Sequence, residues 1–430
     1  MSEGSILIEA IKPIEPKSII SSSASQEQSP APNNPASERN AHIEIVNNLR
    51  NQKEYANAAV YDKLERQTSE NTFPGLTVAN FTDIDGTYIY DYKPTPEETT
   101  SLSPEELQLL IQTRNQEYML ATQQLTELLN KYNVPIIAVS GRDFNMVQTD
   151  SRLPQFDLVV GSVGTEIYVL QKDGSYQLDS EYDKYISQEI GFDRHKIYNL
   201  SKDIVANASS LVPNAELKFQ DRDSEANVIA YQQDPQAKEH GLTTYPPPQK
   251  YKISFNFEGI NADKERLEKT MQAKLKEGGC GQVKIVFSYG KEGREGRTGW
   301  NIDLIPETKK GAINYLVNKF GCIGIFGGDT GNDSDAIIGA GHAGFAVGNR
   351  RPEVDTAISE ESDLTITKQT QNFRIFKNPD GTKRLLFVDS DPSRKGPESQ
   401  IRALRTMKMF ARLMKSTTAN EVKSLMYSKI

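Results

Sequence analysis

"NFTDIDGTYIY", residues 80–90, sets two carboxylates, Asp83 and Asp85, directly behind an apolar run, with Gly86 and Thr87 following them. The preceding "GLTVANFTD" reads as a buried strand. Like charges at the end of such a strand repel, and removing them from water is costly. A cation, a reaction or both must offset that cost. Two more apolar runs end in polar, glycine-containing turns: "VPIIAVSGR" (134–142) and "CIGIFGGDTGND" (322–333).

The segments between them give the architecture. "SPEELQLLIQ" opens a helix that runs to about Tyr132, with Ser103 as N-cap, Pro104 at the first position and Glu106 completing a capping box. "FDLVVGSVGTEIYVL" (156–170) has strand character, and Asp173-Gly174 signals a hairpin turn. Beyond it, "KYKISFNFE" (250–258) and "QVKIVFSYG" (282–290) read as strands around a helix at 261–278. "WNIDLIP" (300–306), a helix at 309–321 and the strand from 322 restore strand–helix–strand alternation. This order predicts an α/β fold: a Rossmann-like parallel-sheet core interrupted by an inserted α+β cap domain. The expected division is a disordered and helical leader (1–74), a first part of the core (75–180), the cap (181–297), a second part of the core with a C-terminal helix (298–415) and a tail (416–430). Within the leader, 18–40 has the composition of disorder, and 42–67 fits one amphipathic helix, expected to dock loosely.

Composition narrows the function. The chain has 430 residues, a net charge of −8, two cysteines and four histidines. The negative charge argues against nucleic acid or an anionic membrane as partner. No apolar run approaches the ~20 residues that cross a bilayer. Two cysteines make no disulfide framework and suit a reducing cytoplasm. The histidines lack ligand spacing, so carboxylates must carry any metal.

A pair of carboxylates can divide the work of phosphoryl transfer. One attacks phosphorus as a nucleophile, and the other protonates the departing oxygen and later activates water. "GDTGND" supplies Asp329 and Asp333 for a hard cation, and Mg2+ suits oxygen ligands shared with phosphate. "TKKG" offers Lys310 at a helix start as a point charge on the phosphoryl group. Ser140 adds a hydroxyl, and Gly141 and Arg142 open the next helix with backbone N–H groups for phosphate. Each motif alone has a plainer reading: an Asx turn, a strand-to-helix turn, a solvated lysine. A calcium loop fails on spacing, because Gly86 sits at loop position four and Pro94 at position twelve. A glycosyltransferase D-x-D would leave "GDTGND" unexplained.

Taken together, "DIDGT", "VSGR", "KKG" and "GDTGND" resemble the haloacid dehalogenase superfamily of aspartate-nucleophile phosphatases. The insertion resembles the cap of its Cof-like, type IIB branch, and "GSVGTEIY" (161–168), "YKISF" (251–255) and "KKGAINYL" (309–316) are similar to sucrose-6-phosphate phosphatases. The resemblance implies Asp83 as nucleophile and Asp85 as acid/base. It implies phosphate contacts from Lys310 and Ser140, with Asn332 helping, and sugar contacts from Arg142 and Lys252; Thr87 and Gly141 stand beside them as candidate phosphate-binding residues. Mg2+ would lie on Asp83, the Asp85 carbonyl, Asp329 and Asp333. The expected substrate is a small phosphosugar, sucrose 6-phosphate first, then mannosyl-3-phosphoglycerate, trehalose 6-phosphate or a hexose phosphate. A non-catalytic sugar-phosphate sensor, and association with a sugar-phosphate synthase, remain open. The segment 374–396 reads as an added hairpin.

Overall fold

The computed structural model describes residues 54–69, 77–213, 215–224, 248–292, 297–361, 365–369, 373–377 and 383–403, with 44, 48, 49, 51 and 52. The stretch 18–40 and the tail 416–430 lie outside them. All structural statements below concern the described residues.

The apolar run before Asp83 forms β1 (Val78–Thr82), sealed on both faces. A strand with two buried faces must lie inside a sheet. In chain order the others are β2 (Ile136–Val139), β3 (Leu158–Gly161), β4 (Glu166–Leu170), β5 (Tyr176–Leu178), β6 (Glu216–Phe219), β7 (Ile253–Gly259), β8 (Lys284–Glu292), β9 (Thr298–Ile305), β10 (Ile323–Gly328), β11 (Ala343–Ala346), β12 (Thr365–Gln369), β13 (Phe373–Lys377) and β14 (Lys383–Val388). The larger sheet has the order β12-β13-β14-β11-β10-β1-β2-β3-β4-β5. From β14 through β3 every neighbouring pair is parallel. β1 sits between β2 and β10, with Thr82 opposite both Ala138 and Gly327. The chain leaves β1 toward one side and returns on the other. This is the switch point at which open α/β sheets bind ligands beyond their strands' carboxyl ends.

Helices cover the sheet where the apolar periodicity placed them. Pro104–Lys131 carries the expected capping box. In Lys309–Phe320 the buried positions are 309, 312, 313, 316, 317 and 320, one stripe of a 3.6-residue period. The segment 156–170 is two strands, β3 and β4, joined by a turn in which Ser162, Val163 and Gly164 all have positive φ. The hairpin expected at 374–396 is β13–β14, and β14 pairs with β11, so it widens the core sheet.

The cap is a four-stranded antiparallel sheet, β6-β7-β9-β8. One face of it, Ile253, Phe255, Phe257, Trp300, Ile302 and Leu304, packs in the buried cluster that includes Ile197, Ile204, Leu267, Met271 and Leu275 of the helices Arg194–Ala206 and Asn261–Glu277. Here one boundary shifts. Residues 298–305 were expected to restart the core, yet β9 pairs along its length with β7 and β8. Its alternation of apolar Trp300, Ile302 and Leu304 with Asn301 and Asp303 suits a one-sided cap sheet, not a core strand buried on both faces.

The leader also differs from expectation. The single helix expected over 42–67 is broken: residues 44, 48 and 49 are helical, residues 51, 52 and 54–57 form turns and a bend, and a separate helix runs Ala59–Ser69. Leu49, Tyr55, Ala58, Val60 and Leu64 are buried in the main core. Gln67 hydrogen-bonds both the N–H and the carbonyl of Val78, and Tyr55 donates to Asp179 at 2.8 Å. This segment is a built part of the core.

Candidate active site

Asp83 is the first residue past β1, and its N–H donates to the Gly327 carbonyl at 2.8 Å, so the sheet itself aims it. Its side chain is almost fully buried. Asp329, just past β10, and Asp333, four residues on, join it, and one oxygen from each of the three carboxylates lies within 4.8 Å of the others. Gly86 makes this approach possible. Its φ is +79°, and a Cβ there would fall 2.1 Å from an Asp329 oxygen. Thr87 donates its hydroxyl to Asp329 at 3.3 Å.

The lysine among these carboxylates is Lys309. Its ammonium has no exposed surface and donates to Asp83 at 2.7 Å and Asp333 at 2.6 Å. Lys310, which the sequence reading assigned to the phosphoryl group, is exposed and turns its ammonium toward Gly339. The helical stripe explains the shift. Lys309 is in phase with Ala312, Ile313, Leu316, Val317 and Phe320, whereas Lys310 is about 100° further round. That signal was present in the sequence.

Charge accounting shows what the pocket lacks. Burial pushes the Asp83 carboxyl up to about 7, with Asp333 adding to the shift and Lys309 opposing it. Burial likewise raises Asp329, followed by the charges of Asp83 and Asp333. Burial disfavours the Lys309 ammonium, but Asp333 and Asp83 outweigh that and hold its pKa above the usual lysine range. With all three carboxylates ionised around one buried ammonium, about two negative charges are left unbalanced, and all the donors are hard oxygens. The set fits a divalent hard cation.

The second motif lies at the end of β2. Ser140 is buried, and its hydroxyl oxygen accepts the Arg142 N–H at 3.1 Å. The β3–β4 turn shapes this loop: Ser162 N–H donates to the Arg142 carbonyl at 2.8 Å and Val163 N–H to the Ser140 carbonyl at 2.9 Å. Val163, β-branched and fully buried, has φ +66°, a strained backbone that the surroundings impose. Asn332 faces the same loop, with its amide nitrogen 3.7 Å from where a Gly141 Cβ would stand. The structure thus brings Asp83, Thr87, Ser140, Gly141, Asn332, Asp329 and Asp333 to one end of the sheet.

Asp85 stands apart from the carboxylate cluster's ligands. Its side chain is 56% exposed and accepts from the Arg142 guanidinium, at 2.8 Å for the Nε bond. Arg142 is also tied to Asp150 at 2.8 Å, so its guanidinium bridges two acids rather than standing free for a sugar. Lys252 reaches down from the cap to the Gly141 carbonyl at 3.3 Å and pairs with Asp303 at 3.2 Å.

Two supporting residues had no local signal. Asn349 donates to the Gly86 carbonyl at 2.8 Å and accepts the Gly396 N–H. Gln400, buried, donates to the Thr82 hydroxyl and the Thr87 carbonyl. Both brace the Asp83 loop from segments more than 250 residues away in sequence.

A central aspartate on the switch strand, a lysine and two further aspartates around it, and a cap inserted after the second motif define a haloacid dehalogenase-like phosphatase. A family model described as Sucrose-6F-phosphate phosphohydrolase matches residues 82–207 and 234–374, more than half of the chain. The chain belongs to that family. Solved structures similar to it include a haloacid dehalogenase-like hydrolase of Bacillus subtilis, 15% identical, covering 69% of this chain and 91% of that one with a TM-score of 0.37. A Thermotoga maritima protein is 16% identical over 66% of this chain and 90% of that one, with a TM-score of 0.34. The trehalose-6-phosphate phosphatase C-terminal domain of C. albicans is 12% identical over 62% of this chain and 75% of that one, also at 0.34. A comparison with curated proteins finds no match.

Proposed function

We propose that the protein is a Mg2+-dependent phosphomonoesterase for a sugar phosphate, sucrose 6-phosphate foremost, working through an aspartyl phosphate on Asp83. The observation that carries this reading is the buried Asp83 between Lys309 and the Asp329–Asp333 pair, under a cap whose open face is polar. Asp83, Asp329, Asp333 and the Asp85 carbonyl would hold Mg2+, whose charge offsets that of the phosphoryl oxygens. Lys309 keeps Asp83 aimed and adds a positive charge beside the reacting group. A carboxylate oxygen of Asp83 attacks phosphorus as the bond to the sugar oxygen breaks, and Asp85 gives that oxygen its proton. Asp85 then takes a proton from the water that attacks phosphorus, breaking the bond to Asp83 and freeing inorganic phosphate. For this, the Asp85 carboxylate must leave Arg142 and turn over the phosphoryl site.

The cap face favours a polyhydroxylated leaving group. Opposite its apolar side it presents Gln220, Ser254, Asn256, Asn301 and Asp303, with Gln220 within 3.3 Å of Asn301 and Ser254 donating to Asp303 at 2.6 Å. Such groups both donate to and accept from hydroxyls, and reject apolar esters by leaving polar atoms unpaired. Lys252 on the same face touches the second motif. The test is a phosphate-release screen with Mg2+ over sucrose 6-phosphate, trehalose 6-phosphate, mannosyl-3-phosphoglycerate and hexose phosphates. Turnover is expected to be highest for sucrose 6-phosphate and to fall to background in Asp83→Asn. Activity of that variant within about tenfold of wild type would remove Asp83 from the role of nucleophile.

A further inference from the structure

The cap joins the core by two chain crossings, between β5 and β6 and between β9 and the Lys309–Phe320 helix. With so few covalent links, contacts along the seam set its pose. On one side these are Lys252 on the Gly141 carbonyl and Arg222 on Asp143 at 3.2 Å. On the other side β8, an edge strand of the cap sheet, lies over the metal-ligand turn. The Phe287 carbonyl oxygen is 3.3 Å from where a Gly331 Cβ would stand.

Arg351 faces that edge. Its backbone N–H donates to the Asp329 carbonyl at 2.7 Å, which fixes its Cα beside the site. Its guanidinium lies 4.6 Å from the centre of the Tyr289 ring on β8. Its neighbour Arg350 is pinned by Asp355 and by the Val347 and Asp389 carbonyls. Among the described residues Arg351 has no ion pair, so the Tyr289 face is its partner across the seam. The ladder of β8 is irregular between Tyr289 and Lys291, a device that re-aims a strand's side chains.

We propose that Arg351 is a positioning residue that latches the closed cap through a cation–π contact with Tyr289. Because the same residue holds the Asp329 carbonyl, cap closure and the metal-ligand turn are joined at one point. A planar guanidinium stacks on a ring face in a way an ammonium does not, so lysine is a poor substitute.

The inference rests on the proposed function only for its sugar-phosphate arm. The first arm measures cap pose directly. Spin labels on Leu109→Cys in the core and Ile260→Cys in the cap use positions 65% and 53% exposed, while the native Cys280 and Cys322 are buried. Wild type should give one dominant distance. Arg351→Ala and Tyr289→Ala should each add a second population, the double variant no more than either single one, and Tyr289→Phe should stay as wild type. In the second arm, Arg351→Ala should lower kcat/KM about tenfold for the sugar phosphate and less than about twofold for p-nitrophenyl phosphate, a small ester that needs no closed cap. Retained nitrophenyl activity shows that the variant is folded. Unchanged distances in both single variants, additive effects in the double variant, or equal losses on the two substrates would overturn the latch. If no sugar phosphate is turned over, the distance arm decides alone.

Discussion

At Lys309 an ammonium with no exposed surface is held between two carboxylates, and one residue later Lys310 lies in solvent. Removing one member of a buried charge pair leaves the other uncompensated, whereas an exposed lysine contributes little. Lys309→Ala should therefore lower kcat by at least about 10²-fold, while Lys310→Ala changes it by less than about threefold. Steady-state phosphate release checks both, and the reverse order would return the role to Lys310. The adjacent lysines look equivalent as a motif. Only the phase of the apolar stripe behind them separates the two. At Arg142 no sequence signal foretold the engagement with Asp85 and Asp150, because Asp85 is 57 residues away and the return of Asp150 across a short helix has no local signature.

Among the elements, the segment around the helix Ala59–Ser69 departs most from its expected role. Leu64 is fully buried in the main core, and Tyr55 packs edge-on against Phe320 at 5.8 Å. Tyr55 also reaches Asp179, which caps the helix Ser180–Lys184 on the way into the cap. Leu64→Ala should cost about 2–5 kcal/mol of unfolding free energy in a urea titration, the usual size for a core leucine. A loss below about 1 kcal/mol would mean that the segment is loosely held after all. An amphipathic pattern states that a helix has a partner but not where the partner is. The same limit applies to β9: its alternation was legible, but the sheet that would receive it was not.

For the whole molecule, the unbalanced carboxylates predict a response to cations. Bringing Asp83, Asp329 and Asp333 together concentrates negative charge in the folded state alone, so a cation that binds there stabilises that state. Mg2+ at a hundredfold excess over its Kd should add about 2.7 kcal/mol, read as a rise in Tm over the same protein in EDTA. Asp333→Asn should lose most of that rise; an equal rise in the variant would place the cation elsewhere. The sequence by itself determined the parallel core, the interruption by a cap, the ends of β1, β2 and β10 as the place of chemistry, and the aspartates found there. Those features are written in local signals, namely apolar runs, capping residues, and glycines that permit a turn. Only the tertiary structure decided which sheet takes β9, how deeply residues 54–69 are buried, and that Asn349 and Gln400 brace the loop of Asp83. Each of these depends on burial and hydrogen bonds between residues far apart in the chain, and a local pattern carries no record of its distant partner.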